Sequence, residues 1–571
     1  MPPSKDRVDV LVIGAGASGA AFTWSLAEAG IDALCLEQGP WTDSTTYPAM
    51  GYDWEVRRQT DFHPDPNVRR LRADYPVETS GSPIDPLMYN AVGGSTIHWS
   101  AHFPRLRPSD FRVRSLDGAA DDWPLTYDEL EPYYDRFDHL VGASGFAGNL
   151  NGVIQPGGNP FEPWRSRPYP NPPMRVPHAP ALFGEAAAKL GYHPYIQPSA
   201  LSTRPYVNSE GLHMNECVYC GFCSNFGCEQ FAKASPQVCI LPVALKLPTF
   251  ELRTGAHVLR VELDKNRKHA RGVTYVDAAG VETFQPAEVV ILCAFAINNT
   301  RLLLLSGIGR PYDPATGKGV VGRNYTHQTS SSVSLFFEES VNINPFMGAG
   351  AVAVTMDDFC TDNFDHGPHG FVGGGYIQIQ VVSGAPIGNR PTPPGTPGWG
   401  SAWKKAAKRY YNHSIPITIT GSALPVRGGY LSLDPTYKDA WGQPLLRITY
   451  DFPDNDIKLS AFLTEKGTQI GRAMRGVTLA QGNPRTKPYG VAAYQSSHIN
   501  GGAAIGADPA TSVVNRYGQC WDVPNVFVTG AALFPQNSCY NPTGTIGALA
   551  YWTADAIRRE YVRAPGRLIA S

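Results

Sequence analysis

Residues 8–39 constrain the fold of this chain more than any other segment. VDVLVI is a continuous β-branched run, as in a buried parallel strand, and Gly14, Gly16 and Gly19 follow it as G-x-G-x-x-G. A helical stretch and a second apolar run, IDALCLE, come next, and Gly30 stands where the helix has to end. This order predicts a βαβ unit near the N-terminus.

The βαβ unit predicts a bound dinucleotide. The glycines let the backbone approach a pyrophosphate, and the helix N-terminus meets its negative charge. Glu37 ends the second strand, where a carboxylate accepts hydrogen bonds from ribose hydroxyls and disfavours a 2′-phosphate. The alternative is a glycine turn with only a structural role. These residues alone do not decide between FAD and NAD.

Length and charge limit the remaining classes. A chain of 571 residues exceeds one hydrophobic core, so two domains or one large core with a second lobe are expected. The formal net charge of −2 gives no sign of a nucleic-acid surface or a polybasic membrane patch. No apolar run reaches the roughly 18 residues of a membrane span. MPPSKDR leads straight into the first strand without a signal sequence, so we expect any export to depend on another protein.

The fold expected is α/β. A Rossmann-like domain is assembled from several chain segments, and an inserted α+β domain contains a large, mainly antiparallel sheet. Strand and turn signals alternate in 250–294, and 330–450 is rich in strand formers. The proline-rich segments 151–180 and 384–400 are either disordered linkers or packed loops, and their aromatic residues favour loops. These loops contain or adjoin Trp164, Trp399 and Tyr410.

Several further motifs occur in a fixed order. They are YNAVGGSTIHWSAHFPRLRPSDF (89–111), VVILCAFAINNTRLLLLSGIG (289–309), GVVGRNYTH (319–327), SSHINGGAAIG (496–506) and CYNPTGTIGALAYW (539–552). Their order and spacing resemble those of the glucose–methanol–choline (GMC) flavin oxidoreductases from residue 8 to about residue 560. Within that family the chain looks most like the flavoprotein subunits of bacterial gluconate, sorbitol, fructose and glucoside dehydrogenases. The resemblance implies that the dinucleotide is FAD.

The resemblance implies two catalytic residues. His498 corresponds to the family's catalytic histidine beside the flavin, and an imidazole with an ordinary pKa near 6.5 can take an alcohol proton. Asn541 corresponds to its partner, whose amide donates a hydrogen bond to the substrate oxygen. The alternatives are a structural histidine and an Asn-Pro turn that only opens the last helix.

The resemblance also implies the cofactor contacts. Gly93-Gly94-Ser-Thr-Ile-His98 has the spacing that, in some relatives, supplies a histidine bonded covalently to the flavin; the alternative is a histidine that packs on the ring. VTGAALFP (528–535) lacks the acid that many relatives carry, so the contacts expected there differ in detail. The full set of expected FAD contacts is Gly14, Gly16, Ser18, Gly19, Glu37, Gly93, Gly94, Ser95, His98, Val258, Ala294, Gly530, Ala531, Asn541 and Thr543.

Four of the ten cysteines lie within twelve positions with the spacing C-x₂-C-x₂-C-x₄-C: Cys217, Cys220, Cys223 and Cys228. The first three resemble a ferredoxin-type thiolate run. The alternatives are disulfides or free thiols, and a zinc site. Zinc usually takes two knuckles with a longer loop between them, and disulfides need an oxidising compartment and are awkward between cysteines only three positions apart. Some relatives hold an iron–sulfur cluster here, so the four are candidate ligands of a one-electron relay. The other six cysteines are expected to be scattered buried thiols.

The resemblance suggests five segments. FAD-binding parts are expected at 1–120, 201–328 (with the cysteines) and 495–571, substrate-side loops and a lid at 121–200, and a substrate domain at 329–494.

The resemblance implies oxidation of a secondary alcohol to a ketone, in a sugar, glycoside, polyol or sugar acid. Three aromatic residues in or near the proline-rich loops are then candidates for stacking on a pyranose ring: Trp164, Trp399 and Tyr410. The resemblance further implies a small partner subunit with the export signal, a cytochrome c or quinone acceptor, and a periplasmic location, with the cytoplasm as the alternative. Two rivals stay open: an oxygen-using oxidase of the pyranose-oxidase type, and a non-catalytic flavin electron-transfer subunit.

Overall fold

The computed structural model describes residues 7–568 except 72, 73, 75, 83, 349 and 488–494. The N-terminal βαβ unit is present as predicted: strand Val8–Ile13, helix Ala17–Glu28 and strand Ala33–Leu36. The two strands are parallel neighbours, with Val10 opposite Ala33. All four residues of the second strand are buried, as expected for a strand covered on both faces.

A seven-stranded sheet contains this unit. Its strands come from three distant parts of the chain, which confirms a Rossmann-like domain built from several segments. Four neighbouring parallel pairings join five strands, and a meander continues antiparallel from the longest of them. Beyond the first two strands, the members are Phe250–Arg253, His257–Leu263, Ala270–Val276, Glu282–Leu292 and Val526–Val528.

A second, six-stranded sheet is antiparallel throughout, as predicted for the inserted domain. In spatial order its strands are Val477–Asn483, Thr329–Phe337, Ser414–Gly421, Gly375–Gln380, Ala353–Met356 and Tyr195–Ile196. The last of these comes from the region expected to form only substrate-side loops.

The two faces of this sheet differ in chemistry because side chains alternate along a strand. One face is apolar: Ile377, Ile379 and Ile417 pack with Leu459 and Leu463 of helix Asp454–Ala473. The opposite face carries hydroxyl, amide and phenol groups, which belong to Ser330, Tyr376, Gln378, Gln380, Thr418 and Thr420. The helix therefore covers one side of the sheet and leaves a polar side for the cavity described below.

The remaining elements complete the two lobes. The other α-helices are Trp54–Arg58, Pro66–Arg69, Val113–Asp117, Tyr127–Val141, His178–Lys189, Pro236–Cys239, Leu241–Ala244, Ala296–Ser306, Gly400–Tyr410 and Thr543–Ala556. The smaller sheets pair Val77–Glu78, Pro444–Thr449 and Tyr430–Lys438; Thr326–His327 with Ile499–Asn500; Asp85–Pro86 with Gln495–Ser496; Asn149–Leu150 with Val153–Ile154; and Tyr206–Val207 with His213–Met214. In the part of the chain that is described, no helix combines the length and apolar character of a bilayer span.

The first proline-rich segment packs as a loop on the protein. Arg165 and Tyr169 are buried within it, and the guanidinium of Arg165 lies over the Tyr169 ring at 3.5 Å. The six cysteines outside the cluster are buried and free, as predicted. Two of them are in contact, which the sequence did not indicate: the Sγ atoms of Cys360 and Cys539 are 3.2 Å apart.

Candidate active site

A cavity of about 440 Å³ lies where the seven-stranded sheet, the polar face of the six-stranded sheet and the C-terminal segment meet. Its wall includes the first glycine turn, residues around His98, and the start of helix Thr543–Ala556. His498 and Asn541 both line it. The structure therefore brings together residues that are more than 500 positions apart in the sequence.

The glycine turn forms a cradle at one end of this cavity. A side chain at Gly14 (φ +101°) would meet the Cys293 carbonyl oxygen at 2.6 Å, and one at Gly19 would meet the Gly14 oxygen at 1.8 Å. A side chain at Gly16 would instead point into open space. The helix that follows has no side-chain cap, so its first N–H groups are available to an anion. These features fit a dinucleotide pyrophosphate.

Glu37 lies buried beside this cradle and lines the cavity. Its Oε2 accepts a hydrogen bond from the Ala15 N–H (2.7 Å), and its Oε1 accepts one from the Gly39 N–H (2.8 Å). Burial raises the pKa of this carboxyl to about 7, although the backbone hydrogen bonds oppose the shift. Each carboxylate oxygen can accept a further hydrogen bond, which fits the expected contact with ribose hydroxyls.

The structure places nearly all of the expected cofactor contacts in the lining of this one cavity. Gly19 is the exception, because it packs against Gly14 instead. The residues that line the cavity are Gly14, Gly16, Ser18, Glu37, Gly93, Gly94, Ser95, His98, Val258, Ala294, Gly530, Ala531, Asn541 and Thr543.

His98 lines the cavity with two ring nitrogens that have no hydrogen-bond partner in the described part of the chain. Its ring stacks on Phe62 (4.4 Å between ring centroids) and lies 4.0 Å from the Tyr89 ring. Burial lowers the pKa of His98 well below its ordinary value, and nearby Lys233 adds to the shift. A neutral imidazole with free nitrogens at the cavity suits both alternatives, contact with a flavin and covalent attachment to it.

Hydrogen bonds determine the tautomer of His498. The Gln328 Nε2 donates to the carbonyl oxygens of Ser538 (2.6 Å) and Tyr540 (2.7 Å), so its Oε1 faces His498 as an acceptor. His498 Nδ1 lies 2.5 Å from that oxygen and must carry the proton. The lone pair is therefore on Nε2, which lies 3.1 Å from the Asn541 Nδ2.

Burial lowers the pKa of His498 to about 4, so its imidazole is neutral at pH 7. Burial likewise lowers the pKa of two neighbouring histidines, His102 to about 4 and His327 to about 3, and the proximity of His498 adds to both shifts. His102 lines the same cavity. The site thus contains neutral imidazoles, and only His498 of these three is bonded to Gln328 and Asn541 in the way described above.

A buried carboxyl anchors the loop that carries Asn541. Asp357 accepts hydrogen bonds from the hydroxyls of Tyr540 (2.7 Å) and Tyr195 (2.7 Å) and from the Asn159 amide (2.6 Å). Burial raises the pKa of Asp357, and these hydrogen bonds oppose the shift. The Tyr376 hydroxyl lies 3.4 Å from the Asn541 Oδ1 and directs the opposite end of that amide, Nδ2, toward His498.

The segment 217–228 that carries the four clustered cysteines, called the cysteine loop below, adjoins the wall of the cavity. The Asn225 N–H donates to the His98 carbonyl oxygen (2.7 Å), and Ser224 and Asn225 line the cavity. The buried Lys233 Nζ donates to the carbonyl oxygens of Trp99 (2.9 Å) and Cys223 (2.8 Å) and so ties the loop to the segment around His98. The loop therefore contributes Ser224 and Asn225 directly to the cavity wall.

The four thiols, as placed, do not form a metal-ligand set. Within the described residues, which include all four, no group of three or more His, Cys, Asp or Glu side chains could hold a metal ion. All four are free; Cys217 and Cys223 are buried, and Cys220 and Cys228 are partly exposed. Burial raises the pKa of Cys217 to about 11 and that of Cys220 above its ordinary value. The iron–sulfur assignment stays a prediction that this arrangement does not favour.

The aromatic residues suggested for sugar stacking lie elsewhere, so that interpretation was wrong. Trp164 donates from Nε1 to Asp128 (2.7 Å) and packs on Tyr127. Trp399 is 85% exposed, and Tyr410 packs on Phe336. None of the three lines the cavity.

Sequence reasoning missed three kinds of residue at this site: Gln328, His102 and the polar face of the six-stranded sheet. Gln328 directly follows the GVVGRNYTH segment, which marked the region but not the residue. The alternation of polar and apolar residues in GYIQIQ and SIPITITG was a signal for one polar face. Nothing in the sequence indicated that this face lines the cavity.

Comparison with known proteins agrees with this architecture. Residues 207–330 and 425–550 match the GMC oxidoreductase family, and residues 12–75 match an NAD(P)-binding Rossmann-like domain. Among solved structures, pyridoxine 4-oxidase from Mesorbium loti shares the fold (TM-score 0.61, 17% identity, 98% of this chain and 100% of that chain covered). A formate oxidase of Aspergillus oryzae does so as well (TM-score 0.63, 15% identity, 98% and 99% covered).

Curated relatives extend over nearly the whole chain. The gluconate 2-dehydrogenase flavoprotein of Pantoea cypripedii is 42% identical, over 99% of this chain and 95% of that protein. The 2-methyl-1,2-propanediol dehydrogenase of Mycolicibacterium austroafricanum is 33% identical (98% and 97% covered), and the fructose dehydrogenase large subunit of Gluconobacter japonicus is 27% identical (96% and 97% covered). With the cavity, the glycine cradle and these similarities together, the chain belongs to the GMC oxidoreductase family, whose members are FAD-dependent enzymes that act on CH–OH groups.

Proposed function

We propose that this protein is an FAD-dependent dehydrogenase that oxidises a secondary alcohol of a sugar or polyol to a ketone. The observation that carries the proposal is the hydrogen-bonded chain Gln328–His498–Asn541 at the cavity. The names of two relatives, a gluconate 2-dehydrogenase flavoprotein and a fructose dehydrogenase large subunit, support a sugar-type substrate. A third relative is named for a diol, 2-methyl-1,2-propanediol, which supports the wider polyol class but not the secondary position of the alcohol.

FAD, when bound, supplies the two-electron acceptor for the carbinol hydrogen. The chain's own residues prepare the alcohol for that transfer. The Nε2 lone pair of His498 accepts the hydroxyl proton, and its Nδ1–H remains bonded to Gln328 Oε1. Asn541 Nδ2, now 3.1 Å from Nε2, donates to the substrate oxygen as negative charge grows there. A hydroxyl held between these two groups meets one acceptor and one donor.

Replacement of the base tests the proposal. In the holoenzyme, His498→Ala is expected to lower the rate of anaerobic flavin bleaching by an alcohol substrate by about 10²–10⁴-fold, the usual contribution of a general base. His213→Ala, at an exposed histidine, is the matched control and should leave the rate unchanged. Bleaching at the wild-type rate in His498→Ala refutes the mechanism, and a wild-type flavin that no alcohol bleaches supports an electron-transfer subunit instead.

The electron acceptor belongs to the same proposal. On the resemblance to the flavoprotein dehydrogenases, we propose that electrons leave to a cytochrome c or a quinone. Reoxidation of the reduced flavin distinguishes the alternatives: slow reaction with air and fast reaction with ferricyanide or a quinone supports a dehydrogenase. Rapid hydrogen peroxide formation supports an oxidase of the pyranose-oxidase type.

Partners and location are proposed on the resemblance. One relative is itself described as a large subunit, which supports assembly with a small subunit. We propose that this subunit carries the export signal and that the complex functions in the periplasm. Co-purification of a small protein from the native host, with activity in the periplasmic fraction, is the expected result; activity confined to the cytoplasm contradicts it.

A further inference from the structure

The part of the cavity around His498 and Asn541, where we expect the substrate, is lined by uncharged polar groups. Strands Gly375–Gln380 and Ser414–Gly421 are antiparallel neighbours, with Tyr376 opposite Thr420 and Gln378 opposite Thr418. These side chains and Gln380 line the cavity together with His498 and Asn541. The sheet thus presents a wall of hydroxyl and amide groups to a bound molecule, and this set of side chains is the polar wall of the cavity.

Two atoms of the polar wall have no hydrogen-bond partner among the described residues. Gln380 Oε1 and Thr418 Oγ1 are buried without a hydrogen bond in the described part of the chain. Gln378 is oriented differently, because its Oε1 accepts from the Thr355 hydroxyl (3.1 Å), which leaves its Nε2 donors for another group. A buried polar atom without a partner is costly, so a ligand that offers hydroxyl groups would stabilise this wall.

The described part of this wall carries no cationic side chain. Among the described residues that line the cavity there is no lysine or arginine, and Glu37 at the opposite end is the one acid. The segment 488–494, which reads PYGVAAY, adds neither lysine nor arginine to the sequence next to His498. Arg485 lies near the wall, but its Nε donates to the Ser330 carbonyl oxygen and it does not line the cavity. A carboxylate bound here would be desolvated without a cation, which is unfavourable.

We infer that the substrate is a neutral polyhydroxylated compound rather than a sugar acid, and that Gln378, Gln380 and Thr418 recognise its hydroxyl groups. The inference rests on the proposed function and narrows its substrate class. It separates this chain from its gluconate-dehydrogenase relative, whose named substrate is an acid. At 42% identity the two proteins have ample room for different residues on this wall.

Binding to a variant that cannot turn over tests the inference separately from catalysis. The FAD-loaded His498→Ala protein is titrated by calorimetry with hexitols of gluco, galacto and manno configuration, and with the aldonates of the same configurations. We expect at least one hexitol to bind at least 10-fold more tightly than its aldonate. The inference is overturned if no hexitol binds at least 10-fold more tightly than its own aldonate, which includes the case in which none of the six compounds binds. If hexitols bind but none bleaches the wild-type flavin, the proposed function fails for this class of compound, and what stands is the assignment of Gln378, Gln380 and Thr418 as a site for neutral hydroxyl groups.

Variants of the wall give a second measurement. Gln380→Leu and Thr418→Val are each expected to weaken hexitol binding about 3- to 10-fold, the range for one lost hydrogen bond. Thr436→Val, at an exposed threonine on another sheet, is the control. Gln380→Arg should raise aldonate affinity and lower hexitol affinity. Unchanged hexitol binding in both wall variants overturns the residue assignment, and aldonate binding that disappears in Arg485→Ala overturns the charge argument.

Discussion

His498 presents its lone pair to the cavity because two amide side chains each have one available orientation. Gln328 uses both amide protons on the carbonyls of Ser538 and Tyr540, so it can only accept from His498. Tyr376 directs Asn541 in a similar way. The tautomer of His498 is therefore determined by groups that do not touch its imidazole: the carbonyls that orient Gln328 and the phenol that orients Asn541.

Substitution of Gln328 should change the pH dependence of the reaction. With His498 at a pKa of about 4, kcat/KM for the wild type should stay level as pH falls through 6.5 and decline only near pH 4, because the base is lost on protonation. Gln328→Glu places a carboxylate beside Nδ1, which stabilises the imidazolium and moves this acid limb to higher pH. Gln328→Leu keeps the limb low but should lower kcat by about 10-fold or more, since nothing then fixes the tautomer.

Flavin reduction rates between pH 4 and 8 measure both effects. Equal acid limbs in the wild type and Gln328→Glu would show that Gln328 has no electrostatic connection to the base. A purely structural role for Gln328 predicts lower stability without a shift of the limb.

At this scale the sequence predicted His498 and Asn541 through their motifs, and it did not predict Gln328. The hydrogen bond between Gln328 and His498 spans 170 positions, and a single glutamine after a strand has no signature of its own. His102 was missed for the same reason, because its role depends on what the fold places beside it.

The βαβ unit was predicted with its boundaries nearly correct, because period, glycine turn and helix stop all agree locally. For the six-stranded sheet, the antiparallel character was predicted but the order of its strands was not. Its strand order brings Tyr195–Ile196 beside Ala353–Met356, and such long-range pairing leaves no local pattern in the sequence.

The cysteine loop is the element for which sequence and structure differ most, and thiol labelling tests it. In the native protein we expect Cys220 and Cys228 to react with a maleimide reagent faster than the buried Cys217 and Cys223. After denaturation all four should react. Lys233→Met should speed the labelling of Cys223, because Lys233 holds its backbone carbonyl.

Iron analysis and EPR on the same samples decide between the assignments. Four thiols that resist labelling in the native protein, together with stoichiometric iron, would restore the cluster and show that the loop rearranges around it. Labelled thiols without iron would support the arrangement described above.

At the scale of the whole molecule, buried ionisable groups make the stability of the folded protein depend on pH. Asp456 is fully buried in helix Asp454–Ala473, and burial raises its pKa from 3.8 to about 7. The folded state therefore binds the proton more tightly than the unfolded state. This carboxyl's contribution to stability is present below about pH 4 and is lost as pH rises through about 7.

Because asparagine does not ionise, Asp456→Asn should remove the loss of folding stability that ionisation of Asp456 causes at high pH. We expect a Tm gain of about 1–3 °C at pH 8 and little change at pH 4.5. Asp454→Asn, on the same turn but exposed, should behave in the opposite sense, because hydrogen bonding to Lys487 lowers the pKa of Asp454. Scanning calorimetry of the three proteins at both pH values checks this; equal Tm shifts at the two pH values would contradict it.

The general division into a Rossmann-like part and a sheet-bearing part was predictable, since family motifs and strand signals recur along the chain. The five proposed domain boundaries stay a prediction, and the cavity lining draws on four of the five segments, all except 121–200.

The two walls of the cavity belong to separate sheets, and this separation has an evolutionary consequence. The side chains of Gln378, Gln380, Thr418 and Thr420 can mutate without disturbing the glycine cradle or His498, because the strands that carry them are supported on their apolar face by helix Asp454–Ala473. Tyr376 is the exception on this surface, since it directs Asn541. Descendants of one ancestral gene can therefore acquire new substrates through a few exchanges on one β-surface while they inherit the redox chemistry intact.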